Sequence, residues 1–94
     1  MAATDIRTID DGITWARGLD ATATAAEIDA GIVKIGTLVP DLDIWFDTGN
    51  KIGVDLIQLN ADVMANQDDA GSKVDELNDI IDDLEAAIDK GNTP

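Results

Sequence analysis

The sequence predicts an all-α fold, a small up-down bundle of three to four short helices forming one acidic domain over residues 1–94. Three observations carry this. Val74, Leu77, Ile81, Leu84 and Ile88 recur at alternating steps of three and four residues, the spacing of one helical face. Ile52, Leu56, Leu59 and Val63 make a second such stripe. Thr24 followed three residues later by Glu27, ahead of Ile28, Ile32, Ile35 and Leu38, is a capping-box pattern at the head of a third.

In chain order, the first 20 residues read in two ways. Ile6, Ile9, Ile13 and Ala16 fit a helix, whereas residues 9–15 also fit a β-hairpin turning at Asp11-Gly12. Helix is the preferred expectation and the hairpin its alternative. The next helix is expected over 24–38 and ended by Pro40. Gly31, Gly36 and the β-branched pair Ile32-Val33 weaken it, since an interior glycine costs roughly 1 kcal/mol relative to alanine, and a strand through 32–39 competes. A helix over 50–67 follows, then a turn at Gln67–Gly71. Val63 and Val74 lie eleven residues apart, a spacing that one continuous helix could also carry, but Gly71 and Asp68-Asp69 favour the turn. The last helix, 72–90, has Ser72 as N-cap and Gly91 as its stop. Its Val74, Ile81 and Ile88 fall at a and its Leu77 and Leu84 at d, as in a parallel two-stranded coil. Ile80 and Ala87 at g widen the stripe, which favours a bundle.

At this size folding buries only about 60–65% of the unfolded chain's surface, so each apolar stripe matters. Hydrophobic residues are 45% of the chain, too many for a disordered acidic tail. The expected core is Ile, Leu, Val and Ala, because Trp15, Trp45 and Phe46 are the only aromatic side chains. The tryptophans are expected as core or as interface anchors.

Charge narrows the partners. Twenty acidic against six basic residues give −14 and a pI near 4.1. Phosphate neutralisation needs clustered Lys and Arg, so direct nucleic-acid binding is not expected, nor is an anionic membrane surface. Such a field favours a basic protein, divalent cations or a salt-rich setting. Aspartate outnumbers glutamate 17 to 3 although glutamate is the better helix former, so the acid is not there chiefly to promote helix. The amino terminus, Met-Ala-Ala-Thr-Asp, has no basic region followed by an apolar run, and no stretch is long enough for a membrane span. A soluble protein is expected.

With neither cysteine nor histidine, disulfides, thiolate nucleophiles, Ser-His arrangements and the usual zinc ligands are excluded. No catalytic, cofactor or metal residue is nominated. The adjacent pairs Asp10-Asp11, Asp68-Asp69 and Asp82-Asp83 could hold a divalent cation only if folding brought them together, since helical neighbours do not face each other. Ser72, the only serine, reads as a cap.

The run Phe46-Asp47-Thr48-Gly49-Asn50-Lys51-Ile52-Gly53-Val54-Asp55 is similar to the calcium loop of EF-hand proteins. The resemblance implies calcium ligation, but the family's twelve-residue loop ends in a bidentate Glu, and here Leu56 follows Asp55. The expectation is therefore a turn into the next helix, capped by Asp47 or Asn50. Trp45 near the middle of a helical chain of this size resembles the WXG family of secreted helical hairpins; the departure is that Phe46-Asp47 follows and glycine comes only at 49.

What remains is a non-enzymatic structural, assembly or protein-interaction module, packing with copies of itself as a homo-oligomer or with a larger partner. A phage particle is one such setting. The helices at 50–67 and 72–90 are expected to carry the contacts, with Trp15, Trp45, Phe46, Ile52, Leu56, Leu59, Val63, Val74, Leu77, Ile80, Ile81, Leu84 and Ile88 as interface or core candidates. The alternative is an acidic inhibitor that binds a basic, nucleic-acid-binding protein by charge mimicry. An enzyme working on carboxylates alone is the third possibility, with no small-molecule substrate evident.

Overall fold

A reciprocal bond decides the first element. In the computed structural model, which describes residues 2–42 and 46–91, Thr8 Oγ1 accepts the amide of Asp11 at 3.2 Å, while Asp11 Oδ2 accepts the amides of Thr8 at 3.2 Å and Arg7 at 3.1 Å. This capping box satisfies donors that a helix start leaves open, and α1 runs from Ile9 to Arg17. The β-hairpin at 9–15 is therefore not formed. Its Asp-Gly turn would need positive φ at both central residues; no positive φ occurs among the described residues, and the Asp11 carboxylate serves the helix cap instead.

Thr24 caps α2 (Ala25–Leu38) by accepting the Glu27 amide at 3.2 Å. The expected return bond from Glu27 is not made, because that carboxylate reaches across to α1. The strand alternative at 32–39 is likewise replaced by helix. Gly31 lies directly under the Trp15 ring, which a β-carbon there would overlap; glycine lets α1 and α2 close around the indole. A short 3-10 turn with Pro40 in its first positions, Val39–Asp41, ends this arm.

The next helix, α3 (Phe46–Ala65), starts before the expected 50. The run that resembles a calcium loop is thus helical, with Asn50 inside the helix and no loop to wrap a cation; Asp47 too lies within α3 and is not its cap. Trp45 lies outside the described residues. Residues 67–73 form the expected connection, a 3-10 segment interrupted at Asp69 (φ −121°, ψ 25°). Gly71 is required there, since the Ala21 carbonyl sits where its β-carbon would project. Ser72 does not act as an N-cap: its hydroxyl donates backwards, to Asp69 O at 2.7 Å and Oδ2 at 3.0 Å. Helix α4 then spans Val74–Gly91.

Successive helices run antiparallel. Gly12 and Trp15 of α1 meet Ile35 and Gly31 of α2, Asp29 of α2 bonds Asn60 of α3, and Lys51 of α3 faces Asp83 of α4, whereas Asp62 shares a groove with Glu76 near the other end. Helix α4 returns beside α1. The architecture is an all-α bundle with no strand among the described residues.

One core joins the four helices. Ile9, Trp15 and Ala16 of α1, Ile28, Ile32 and Ile35 of α2, Ile52, Leu56, Leu59 and Val63 of α3, and Val74, Leu77, Ile81, Leu84 and Ala87 of α4 are all buried. None of the described buried residues is charged. No helix among the described residues is long and apolar enough to cross a membrane.

Candidate functional site

Of the residues singled out by sequence, Trp15, Ile52, Leu56, Leu59, Val63, Val74, Leu77, Ile81 and Leu84 come together inside the bundle, with Ile80 and Ile88 half-buried at its edge. The a/d seam of α4 faces its own chain. Phe46 opens α3.

The acidic pairs disperse. Asp11 caps α1, Asp69 accepts from Ser72, and Asp82 and Asp83 point to different cations. Asp82 and Glu85 both hold the Arg17 guanidinium, at 2.5 and 2.6 Å, and these hydrogen bonds push its pKa up. The same side chain donates to Asn78 Oδ1 at 2.9 Å, while Asn78 Nδ2 donates to the Ala16 carbonyl at 3.2 Å, so Asn78 locks the end of α1 onto α4. Lys51, its pKa raised chiefly by its hydrogen bond to Asp55, lies 3.9 Å from Asp83. An open groove between α3 and α4 is lined by Asp55, Asp62, Glu76 and Asp79 together with Gln58, Leu59 and Ile80. No three carboxylates among the described residues converge closely enough to hold a metal ion.

The surface divides by chemistry. Helix α4 carries Asp75, Glu76, Asp79, Asp82, Asp83, Glu85 and Asp89 against one lysine, Lys90. Its outward sides are strongly negative.

The outer side of α3 is the opposite. At 100° per residue, Asn50, Gly53, Val54, Ile57, Ala61, Met64 and Ala65 fall within a sector of about 120° on the side away from the core, Asn50 being its one polar side chain between 48 and 65. No charged residue between 48 and 65 lies in that sector. Val54 is 64% exposed, Ile57 72% and Met64 43%. The Asp29–Asn60 bond, 2.8 Å long, fixes the register against α2, whose Val33, 54% exposed, and exposed Ala26, Gly36 and Thr37 continue the same surface. Among the described residues Asp29 is the one carboxylate at the seam, and it accepts from Asn60. The two helices thus present one largely apolar panel, with Asp29 its one described charge, in a chain in which 28% of residues are charged. Scattered apolar residues are ordinary on a protein surface; a contiguous patch marks a contact site.

These residues were not singled out by sequence, although the signal is there. Once Ile52, Leu56, Leu59 and Val63 are assigned to the core, Val54, Ile57, Ala61 and Met64 form a second stripe at steps of three, four and three on the other side of the helix.

Comparison with known protein families, curated proteins and solved structures finds no match to this chain.

Proposed function

We propose that this chain is a non-enzymatic assembly or protein-interaction module that makes its contacts through the outer faces of α2 and α3. A homo-oligomeric assembly is the setting that best suits it, a phage particle being one example. The largely apolar panel carries this reading: Val33, Val54, Ile57 and Met64 stay exposed in a chain whose other apolar stripes are covered by its own core. Burying what these side chains still expose is worth roughly 1–2 kcal/mol apiece, which a partner surface would supply.

The test compares two sets of substitutions. Val54→Asp with Ile57→Asp should abolish association, whereas Asp79→Asn, Asp82→Asn and Asp83→Asn together should leave it intact. The reverse pattern would favour the second reading, an acidic inhibitor of a basic protein. The seven carboxylates of α4 support that alternative, through the field they would present to a cationic partner.

A further inference from the structure

We infer that the occupant of the α2/α3 panel is a second copy of this chain, paired face to face about a twofold axis, with Ile57 of each copy seated in a glycine notch of the other. The inference rests on the proposal that the panel is the contact surface, and it names the partner.

The notch is the observation that goes beyond exposed apolar area. Glycines at 12, 31 and 71 each have a reason within the chain, because a β-carbon would strike Ile35, the Trp15 ring or the Ala21 backbone. Gly36 and Gly53 have none: the space where a β-carbon would sit is open at both, and neither has a positive φ. Each lies inside a helix, where glycine is disfavoured. Gly36 is two helical turns after Asp29 and Gly53 two turns before Asn60, so the register set by the Asp29–Asn60 bond places the two glycines across from each other. With no side chain at either position the panel is lowest there, beside Ile57, the most exposed of the large apolar side chains described, a single turn from Gly53. A knob next to a notch is self-complementary. A twofold axis lying in the interface and crossing the helices between them brings each knob onto the partner's notch, as an isologous contact requires.

Charge and area agree with a copy as occupant. A chain of net charge −14 repels its own kind on most faces, and the panel, where Asp29 is the one described carboxylate and is bonded by Asn60, is where two copies bring the fewest charges together. Pairing there turns the acidic sides of both α4 helices outward, away from each other. A 20-residue helix beside a shorter neighbour about 9 Å away offers roughly 500–600 Å² per copy, so pairing buries about 1,000–1,200 Å² in all, near the lower end for a specific dimer. The dimer is therefore expected to dissociate at micromolar dilution and to tighten as salt screens the remaining repulsion.

Sedimentation equilibrium from about 1 to 500 μM protein in low and high salt tests this, with helical circular dichroism as the control for folding. The wild-type mass should rise from 9.9 kDa to twice that value. Ile57→Asp should weaken pairing at least 100-fold with the dichroism unchanged. Gly36→Ala separates the notch from a structural role: it should raise the thermal midpoint of the dilute monomer yet weaken pairing about tenfold. A wild type that stays monomeric throughout overturns the copy as partner. It leaves the panel open to a different protein, a reading that fails separately if Ile57→Asp retains whatever association the wild type shows. A dimer indifferent to both Ile57→Asp and Gly36→Ala overturns the face and the notch together.

Discussion

The indole Nε1 of Trp15 donates to Glu27 Oε1 at 2.9 Å, and the same oxygen accepts the amide of Ala3 at 3.0 Å. One carboxylate oxygen thus satisfies the polar atom of the largest core side chain, which is 1% exposed, and ties the start of the chain to α2. A buried donor left without its acceptor costs about 1–3 kcal/mol. Glu27→Ala is expected to lower stability by that amount. Glu27→Gln keeps an oxygen acceptor and should cost less, as urea unfolding followed by Trp fluorescence would show.

Gly31 and Gly36 should respond in opposite directions to the same change. Gly31→Ala puts a methyl group into the Trp15 ring, an overpacking that costs about 1–3 kcal/mol or more. Gly36→Ala meets nothing and should stabilise the monomer by about 1 kcal/mol, the difference in helix propensity. Thermal unfolding at high dilution checks both.

At the α1–α4 contact, Asn78 is expected to matter more than Arg17 despite having no charge. The Arg17 pairs are substantially exposed, at 38% and 64% for Arg17 and Asp82; such pairs contribute about 0–1 kcal/mol and weaken in salt. Asn78→Ala removes this donor from the part-buried Ala16 carbonyl together with the acceptor of an Arg17 bond and should cost about 1 kcal/mol, most of it persisting in high salt. Stability of Arg17→Gln and Asn78→Ala in low and high salt distinguishes the two.

Asp20 gives a pH-dependent contribution of defined sign. Hydrogen bonds from the Thr22 hydroxyl and amide hold its carboxyl below the ordinary value of 3.8. Folding therefore favours the charged form. The contribution is complete above that ordinary value and is lost as pH falls through the lower, folded one. Thr22→Val removes the hydroxyl, and NMR titration should show the Asp20 midpoint moving up toward 3.8.

The helices of this bundle are legible in the sequence because apolar spacing specifies a face: Ile52 to Val63 and Val74 to Ile88 lie where their periodicity puts them. Local chemistry decides less. Asp11-Gly12 suits a hairpin turn as well as a first helical turn, and only the bond back to Thr8 separates the two. Ser72 resembles a cap by type and position, yet its hydroxyl turns back to Asp69. Glu27 completes a capping box in sequence, but Trp15, twelve residues earlier, takes its carboxylate. The α2/α3 panel is hidden for another reason: a second stripe acquires meaning only once the first is known to be covered, and the facing of Gly36 and Gly53 depends on a register between helices that spacing along one helix does not contain.

The proposed meeting of α2 and α3 with a second copy through their largely apolar face is tested most directly, without substitution, by backbone amide shifts across a dilution series. Glycine amides resonate apart from most others, so Gly36 and Gly53 are convenient reporters. Concentration-dependent shifts should cluster at Val33, Gly36, Gly53, Ile57 and Met64 and leave Asp79, Asp82 and Asp83 still. Shifts confined to α4, or none at any concentration, would contradict the claim.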